Sequence, residues 1–352
     1  MIRPVCGGQA ARLTEGQVAI RMAINGFGRI GRLALRAAMQ RADLEVVAIN
    51  DLSDPDILYY LFGSDSVHGR YPGSVTREGD IMKVDGRGFP LLRVKDPAEL
   101  PWKKYGVDVV LECTGAFRAR KDCARHVASG ARKVIISAPS DDADFTLVMG
   151  VNHDRYDPAG HTVISNASCT TNALAPLAWV LHTNFGLERG FALTVHAYTS
   201  SQALVDTPHR KRRRSRAAAL NLVPTTTGAA AAVGRVMPEM AGRLDGLAVR
   251  APNADGSIVD LTAILSRAAT VDEINRAFAD AAGGRLEGVL RYQAEDGLVS
   301  SDILGDPATS VFDAPLTMAQ GNLVKVFGWY DNEYGYASRL LDAAKLVGAI
   351  PT

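Results

Sequence analysis

The 352-residue chain is nearly balanced in charge, with 39 basic and 38 acidic side chains, and 47% of its residues are hydrophobic. This composition excludes disordered, coiled-coil and collagen-like proteins, and the length predicts about two domains. No apolar run approaches the roughly 20 residues of a membrane span, and the four cysteines lack metal-ligand spacing, so we expect a cytoplasmic protein without structural zinc or a membrane partner.

Residues 1–17 show no hydrophobic periodicity, and we interpret them as an N-terminal extension. The apolar run VAIRMAIN follows and predicts a strand that begins near Val18. A start of the protein at Met22 would cut this run in half and leave a buried strand too short. The first folded element is therefore expected just after the extension.

From Val18 to about Asn166, apolar β-branched runs alternate with helical stretches. The runs are VAIRMAIN, LEVVAIN, VDVVLECTG, RKVIISAP, FTLVMGV and TVISNAS. Alternation of this kind is typical of βαβ units and predicts a parallel sheet covered on both faces. We assign residues 18–168 to a nucleotide-binding domain of the Rossmann type, in the α/β class.

The pattern changes after Cys169, where longer strands dominate. The runs GFALTVHAYT, DGLAVRAP, SIVDLTAIL and NLVKVFGWYD predict a mostly antiparallel sheet, and residues 207–227 predict a polar loop with a basic centre. Thr270 and Glu273 form a capping-box pattern that begins a helix ended by Gly283. We assign residues 169–332 to an α+β catalytic domain and residues 333–352 to a C-terminal helix.

A glycine motif follows the first predicted strand. Gly26, Gly28 and Gly31 give the spacing at which a turn, a close approach to a pyrophosphate and tight helix packing each need glycine. Asp51 ends the next strand, where its carboxylate can accept hydrogen bonds from ribose hydroxyls and repel a 2′-phosphate. The motif predicts NAD and disfavours NADP, although Asp51 alone could equally be a helix cap before Pro55.

Cys169 lies at a predicted strand-to-helix junction, in the run VISNASCTTNALAPLAWVL. Ser168 can cap the helix, which places Cys169 in its first turn, where the positive end of the helix dipole stabilises a thiolate. We therefore expect Cys169 to ionise more readily than a free thiol. Core packing is the alternative for a lone cysteine, and it is our interpretation of Cys113 and Cys123.

A thiolate nucleophile needs a base, and His196 at the polar end of ALTVHAYT is the candidate. The other histidines are expected on the surface or in loops: His68, His126, His153, His161, His182 and His209. A thiol, a histidine and a nicotinamide together predict aldehyde oxidation through a hemithioacetal and a thioester. Candidate groups for two phosphates are Ser168, Thr170, Thr227, Gly228, Arg214 and Arg250.

From about Val18 to its C-terminus, the chain resembles the phosphorylating glyceraldehyde-3-phosphate dehydrogenase family, in the blocks NGFGRIGR, ISNASCTTN, HAYT, RAAALNLVPTTTGAA and WYDNEYGY. The resemblance implies NAD-dependent conversion of glyceraldehyde 3-phosphate and inorganic phosphate to 1,3-bisphosphoglycerate, with Cys169 as nucleophile and His196 as base. It implies a cofactor site made of Gly26, Phe27, Gly28, Arg29, Ile30, Gly31, Asp51, Leu52, Thr114, Ser137, Asn332 and Tyr336.

The same resemblance implies that Thr199 and Arg250 hold the substrate phosphate. It implies that Ser168, Thr170, Thr227 and Gly228 hold inorganic phosphate, with Arg214 close to both. A homotetramer is implied as well, with the last helix returning to the nucleotide-binding domain. NAD-using members carry a leucine after the ribose aspartate and a proline in the polar loop, and this chain has Leu52 and Pro208.

Several positions depart from the family pattern. Ala173 replaces a frequent second cysteine, and Ser201 stands where an acid or threonine is usual. Residues 251–257 read APNADGS where VPTPNVS is typical, which leaves open the path of the loop after Arg250. Gly63 and Ser64 replace the lysine and the aromatic residue of the usual KYDS stretch.

The sequence leaves three alternative functions to compare. Erythrose-4-phosphate dehydrogenase shares the cysteine and histidine, but its members generally lose the HAYT threonine and the TTTG stretch that this chain retains. A thiol protease or acyltransferase would leave the glycine motif unexplained. A nucleic-acid partner would use residues 209–216, where six of eight residues are basic, but aromatic side chains for base stacking are missing there.

Overall fold

The computed structural model describes residues 18–349, so the predicted extension 1–17 lies outside the described residues. The described chain divides into two compact units. The first contains the residues up to Leu147, Arg155–Ala167 and the residues from Ala337 onward. The second contains Val148–Asp154 and Ser168–Tyr336.

The first unit contains a nine-stranded sheet within the described residues. Its strands are β1 (Ile20–Asn25), β2 (Leu44–Asn50), β3 (Val75–Glu78), β4 (Ile81–Val84), β5 (Arg87–Leu92), β6 (Val109–Glu112), β7 (Lys133–Ile136), β8 (Phe145–Thr146) and β9 (Val163–Ser165). Their order is β3-β4-β5-β2-β1-β6-β7-β9-β8, and the pairs that join β5, β2, β1, β6, β7, β9 and β8 are parallel. The predicted parallel sheet is confirmed for this part of the unit.

Four helices within residues 18–147 accompany the sheet of this unit, and α2 begins at a clear sequence signal. They are α1 (Arg29–Ala38), α2 (Pro55–Gly63), α3 (Trp102–Tyr105) and α4 (Arg120–Ala128). Asp54 caps α2 by accepting from the backbone N–H of Asp56, and Pro55 occupies the first helical position, where its missing N–H costs nothing. The core between sheet and helices includes Val110, Val134 and the fully buried Trp102.

One part of this sheet is antiparallel, which the sequence pattern did not predict. β3 pairs with β4, and β4 pairs with β5, in antiparallel register. Asp85 and Gly86, both with positive φ, form the two-residue turn between β4 and β5. The dipeptide Asp-Gly between apolar runs is the signal that would have found this hairpin.

The first strand begins at Ile20 rather than Val18, and Met22 lies buried inside it.

The second unit contains a sheet with eight strands among the described residues. Its elements are α5 (Cys169–Phe185), β10 (Leu187–Ala197), β11 (Val223–Thr226), α6 (Ala229–Val236), β12 (Leu244–Ala251), β13 (Ser257–Leu265), α7 (Val271–Ala282), β14 (Leu290–Gln293), β15 (Ser310–Asp313), β16 (Met318–Gln320) and β17 (Leu323–Tyr330). The strand order is β11-β12-β10-β13-β17-β15-β14, and β16 pairs with β17.

This second sheet is mostly antiparallel, as predicted, but not throughout. β12 pairs parallel with β10 and antiparallel with β11, and β14 pairs parallel with β15. The expectation that DGLAVRAP is an antiparallel strand is therefore wrong for its pairing with β10. The chain makes this parallel pair because β11 and α6 lie between β10 and β12 in the sequence and provide the crossover connection. The predicted capping box of Thr270 and Glu273 is confirmed at the start of α7.

The last helix, α8 (Tyr334–Gly348), contributes its residues from Ala337 onward to the first unit. Arg41 there forms an ion pair with Asp342, and Asp43 forms one with Lys345. Gly348 lies so close to Ile20 and Val109 that a Cβ atom would overlap with their side chains. None of the helices in residues 18–349 has the length and apolar composition needed to cross a membrane.

Candidate active site

Cys169 is the first residue of α5 and faces a histidine on β10. Ser168 caps the helix by accepting the backbone N–H of Thr171 at 3.0 Å, which fixes Cys169 in the first turn as predicted. Cys169 Sγ lies 3.4 Å from His196 Nε2. The structure therefore brings together the predicted nucleophile and the predicted base, although 27 residues separate them in the sequence.

Polar groups contact the Nδ1 edge of the His196 ring. His196 Nδ1 lies 2.7 Å from the carbonyl oxygen of Ala197, and when it donates to that oxygen Nε2 is the acceptor that faces Cys169. Arg250 Nη1 also donates to Ala197 O at 2.8 Å and lies 2.8 Å from His196 Nδ1. In the tautomer whose Nδ1–H donates to Ala197 O, Arg250 donates to that carbonyl oxygen and not to Nδ1, and Nε2 can act as a general base toward Cys169.

Burial determines the charge of this pair. It raises the pKa of the Cys169 thiol, and this effect outweighs the lowering by Arg250 and by hydrogen bonds from Thr170. Burial and the charge of Arg250 lower the pKa of His196 to about 3. The expectation that Cys169 ionises more readily than a free thiol is therefore wrong here, because desolvation raises the thiol pKa by more than the helix terminus and Arg250 lower it.

Two predicted substrate-phosphate groups meet through a serine in the second unit. Thr199 Oγ1 lies 2.8 Å from Ser201 Oγ, and Arg214 Nη1 donates to Ser201 Oγ at 3.1 Å. Arg214 Nε donates to Thr225 Oγ1 at 3.0 Å. Ser201, which departs from the family pattern, thus links Thr199 with Arg214. The sequence analysis did not assign Thr225, although it lies in the PTTTGAA block.

Arg250 lies at the end of β12, and the unusual stretch after it is well defined. Asn253 Nδ2 donates to the carbonyl oxygens of Asp255 and Gly256, at 2.5 and 2.8 Å. The backbone N–H of Tyr198 donates to Asn253 O at 3.0 Å. These bonds close the loop beside the end of β10, and Arg250 remains in contact with His196.

The predicted inorganic-phosphate residues adjoin two helix starts. Thr227 Oγ1 accepts the backbone N–H of Ala229 at 3.2 Å, and Gly228 precedes α6, with open space where a Cβ would lie. Ser168 Oγ caps α5, and Thr170 Oγ1 lies 2.9 Å from Tyr330 Oη. Free N–H groups at helix starts attract anions, so both places suit a phosphate oxygen.

Asn332 is connected to the histidine strand by a serine. Asn332 Oδ1 accepts from Ser257 Oγ at 2.6 Å, and Ser257 Oγ accepts the backbone N–H of Ala197 at 3.1 Å. The carboxamide orientation is therefore fixed. Tyr336, another predicted cofactor residue, belongs to the same unit and is buried.

The remaining predicted cofactor residues lie in the first unit, at the carboxyl ends of its parallel strands. Gly26 has a φ of +95°, and a Cβ there would overlap with the backbone of Thr114. A Cβ on Gly31 would overlap with the carbonyl oxygen of Gly26, so the helix–strand contact requires glycine. Space above Gly28, at the start of α1, is open. This is the geometry that a pyrophosphate needs.

Asp51 follows β2 and reaches back to the glycine turn. Its Oδ2 accepts the backbone N–H of Phe27 at 2.7 Å, and its Oδ1 accepts that of Ser53 at 2.9 Å. Leu52 beside it is exposed. The alternative interpretation of Asp51 as a helix cap is wrong, because Asp54 performs that role for α2.

Four further predicted residues lie at the same edge. Thr114 donates through its backbone N–H and its hydroxyl to Glu112 Oε1. The backbone N–H of Ser137 donates to Glu112 O at 2.9 Å. Arg29 at the start of α1 pairs with Asp65, and Ile30 follows it in the helix. β1 and β6 pair in parallel, and the strand order reverses direction between them. These residues therefore lie where open α/β sheets bind nucleotides.

One histidine expected on the surface is instead fully buried. His126 Nδ1 accepts from Trp102 Nε1 at 2.9 Å, so its Nε2 carries the proton and donates to Glu112 Oε2 at 3.1 Å. Asn25 Nδ2 donates to the same carboxylate oxygen at 2.5 Å. The prediction for His126 is therefore wrong, and the reason is that Trp102 and Glu112 satisfy both ring nitrogens in the core.

Comparison with known proteins gives a consistent result across both units. The family model described as "Glyceraldehyde 3-phosphate dehydrogenase, NAD binding domain" matches residues 20–120, and the corresponding C-terminal domain model matches residues 168–332. The chain belongs to the glyceraldehyde-3-phosphate dehydrogenase family. The match to its NAD-binding domain also identifies the cofactor class as NAD.

Individual relatives in the glyceraldehyde-3-phosphate dehydrogenase family cover nearly the whole chain. The enzyme of Streptomyces coelicolor is 52% identical over 332 residues, which is 94% of this chain and 98% of the relative. That of Kitasatospora aureofaciens is 54% identical over 330 residues, and that of Geobacillus stearothermophilus is 50% identical over 333 residues, each covering 94% of this chain and 99% of the relative. These matches give no support to the erythrose-4-phosphate or nucleic-acid alternatives.

Proposed function

We propose that this protein oxidises glyceraldehyde 3-phosphate with NAD and inorganic phosphate to 1,3-bisphosphoglycerate. The observation that carries the proposal is the contact of Cys169 Sγ with His196 Nε2 at the start of α5. A buried, neutral histidine beside a thiol is a base ready to accept one proton. The family membership supplies the matching substrate class.

The proposed reaction begins when His196 Nε2 takes the thiol proton and Cys169 Sγ attacks the aldehyde carbon. His196 then passes this proton to the aldehyde oxygen, so the resulting hemithioacetal carries a hydroxyl group. As the carbon is oxidised to a thioester, His196 takes the hydroxyl proton. An inorganic phosphate oxygen attacks the thioester carbon, the carbon–sulfur bond breaks and the acyl phosphate is released, and the departing Cys169 thiolate takes the proton held by His196. Arg250 lies beside this pair and can stabilise developing negative charge.

NAD, when bound, supplies the acceptor for the two electrons and the hydrogen that the hemithioacetal loses. The residues proposed to hold it fit the group, because the glycine turn leaves room above Gly28 and Asp51 stands at the ribose position. Thr114 and Ser137 lie at the adjoining strand ends. Asn332, fixed by Ser257, is proposed to orient the nicotinamide amide.

Two anion sites are proposed for the two phosphate groups. Thr199 and Arg250 would hold the substrate phosphate, with Arg214 reaching both sites. Ser168, Thr170, Thr227 and Gly228 would hold inorganic phosphate. Arg214 supports its assignment by its hydrogen bonds to Ser201 and Thr225, which aim the guanidinium at the threonine-rich stretch.

We further propose a homotetramer in the cytoplasm. The second unit exposes large apolar side chains on β10, on β12 and in residues 204–222: Phe191, Val195, Leu204, Val205, Leu220, Leu222 and Leu247. Large exposed apolar side chains in such number are typical of surfaces that make subunit contacts. The described cysteines Cys113, Cys123 and Cys169 are unpaired, which suits a reducing compartment.

The test is an absorbance assay of NADH formation with glyceraldehyde 3-phosphate, NAD and phosphate, repeated without phosphate, with NADP and with erythrose 4-phosphate. We expect rapid NADH formation only when the triose, NAD and phosphate (or arsenate) are all present.

Cys169→Ser should abolish turnover while NAD binding persists, because the glycine turn is untouched. Turnover by Cys169→Ser at the wild-type rate, or activity indifferent to phosphate, would contradict the proposal.

A further inference from the structure

A chain of three hydroxyl groups lies behind the nucleophile, in the second unit. Tyr330 Oη on β17 lies 2.9 Å from Thr170 Oγ1 and 2.8 Å from Thr194 Oγ1. Thr194 Oγ1 in turn lies 3.1 Å from the carbonyl oxygen of Ile258. Tyr330, Thr170 and Thr194 are all buried, so each hydroxyl must find its partner within the protein.

The direction of each hydrogen bond follows from counting protons. The carbonyl oxygen of Ile258 only accepts, so Thr194 gives it its single hydroxyl proton. Thr194 Oγ1 then accepts from Tyr330, which has no second proton to give. Thr170 must therefore be the donor in its bond to Tyr330. One assignment satisfies all three contacts, and it turns the Thr170 proton toward Tyr330.

The Cys169 thiol and the proposed inorganic phosphate both compete for the Thr170 hydroxyl proton. A hydrogen bond from the Thr170 side chain lowers the pKa of the neighbouring Cys169 thiol. Under the proposed function, Thr170 also donates to inorganic phosphate. A threonine hydroxyl has one proton, so its bond to Tyr330 competes with both of these bonds.

We propose that Tyr330 is a positioning residue that restrains the Thr170 hydroxyl, holding its proton away from Cys169 Sγ and from the incoming phosphate until Thr170 turns. The reacting thiolate or anion must draw the Thr170 proton from its bond to Tyr330. The part that concerns phosphate rests on the proposed function, whereas the part that concerns the thiol does not.

Other charged and titratable groups act on Cys169, and they stay unchanged in the test. Arg250 lowers its pKa and Asp255 raises it. His196 lies at 3.4 Å on β10, and its ring meets the ring of Tyr330 edge to face, with centroids 5.9 Å apart. Replacing Tyr330 with phenylalanine keeps this ring contact and removes only the hydroxyl.

The experiment measures the rate of Cys169 alkylation by iodoacetamide across pH, in the full-length protein without substrate. In Tyr330→Phe the Thr170 proton loses its inner acceptor and becomes available to the thiolate. We expect alkylation near neutral pH to be roughly fivefold faster, the effect of one net hydrogen bond. Tyr292→Phe, the same change on β14, should leave the rate unchanged. An unchanged or slower rate in Tyr330→Phe would overturn the proposal.

Two further variants separate this role from a structural one. Thr194→Val removes the acceptor of the Tyr330 proton, so Tyr330 turns to donate to Thr170 and the alkylation rate should rise as well. Thr170→Val removes the contested proton, so adding Tyr330→Phe to it should produce no acceleration. Acceleration that persists in this double variant would overturn the proposal. Thermal unfolding of each variant verifies that it is folded.

The phosphate part is tested separately by steady-state kinetics. Tyr330→Phe should lower KM for inorganic phosphate by about fivefold, again the effect of one net hydrogen bond, and leave KM for NAD unchanged. A raised KM for phosphate would overturn this part. If the wild-type protein failed to oxidise the triose at all, the proposed function would fall, while the alkylation result would still stand or fail by itself.

Discussion

Arg250 brings a positive charge to a thiol and an imidazole that burial otherwise keeps neutral. Its guanidinium contacts His196 and lowers the pKa of both His196 and Cys169. The sequence could predict which residues meet here, because motif spacing identifies them. It could not predict their resting charge, because that depends on how much water the fold excludes.

Replacing Arg250 with methionine tests this electrostatic role. Without the positive charge the pKa of Cys169 rises further, so less thiolate is present at any pH below it. We expect several-fold slower alkylation at neutral pH and a pH–rate profile displaced to higher pH. Arg213→Met, which removes an exposed arginine from the basic loop, is the matched control. A displacement of the Arg250→Met profile to lower pH would refute the assignment.

The helix start at Cys169 and the glycine turn before α1 are the elements that the sequence predicted best. Each is specified locally, by the Ser168 cap and by Gly26 and Gly31, where a Cβ would overlap with backbone atoms. The parallel pair of β10 with β12 was misassigned because its partners are far apart in the sequence. The β3–β5 antiparallel strands are joined by short local turns, and only the Asp-Gly dipeptide between β4 and β5 marks them in the sequence.

The sequence pattern also did not predict the buried polar network on β6 and α4. Glu112 accepts from Asn25, Thr114 and His126, and it therefore connects the strand end before the glycine turn with a predicted cofactor residue. A histidine on a helix with charged neighbours has the sequence pattern of an exposed side chain. Only the fold shows that Trp102 and Glu112 enclose it.

His126→Phe should destabilise this part of the protein. It leaves the Trp102 N–H without its acceptor and removes one donor from a buried carboxylate, at a cost of about 2–3 kcal/mol. Thermal unfolding should begin several degrees lower, and NAD affinity should fall as Thr114 loses its support. His209→Phe, the same change in the exposed loop, should have little effect. Equal unfolding temperatures for wild type and His126→Phe would show that the network carries no net stability.

At the scale of the whole molecule, the exposed apolar side chains of the second unit support the proposed homotetramer. Phe191 is 73% exposed and Leu220 is 82% exposed. Exposed apolar side chains of this size lower the solubility of an isolated subunit. The family resemblance predicted a tetramer, whereas composition and charge were silent about assembly. The exposed residues now show which surface to alter.

Light scattering coupled to size-exclusion chromatography should give the mass of a tetramer for the wild-type protein. Phe191→Asp and Leu220→Asp each place a charge in the proposed contact, and we expect smaller species that become more abundant on dilution. Val299→Asp, at another exposed apolar side chain of the same unit, should remain tetrameric. Monomeric wild type, or tetramers that tolerate both aspartates, would refute the proposed surface.

Helix α8 has a consequence for the order in which a ribosome-bound chain can fold. The first unit takes Leu340, Leu341 and Ala344 into its buried core, and Arg41 and Asp43 there pair with α8. The residues Ser168–Tyr336, which make up most of the second unit, are by then already synthesised. The domain that is synthesised first is therefore completed last, because β1 gains its contact with Gly348 only when nearly the entire polypeptide has been made. During synthesis we expect that part of the sheet to be accessible to chaperones and proteases.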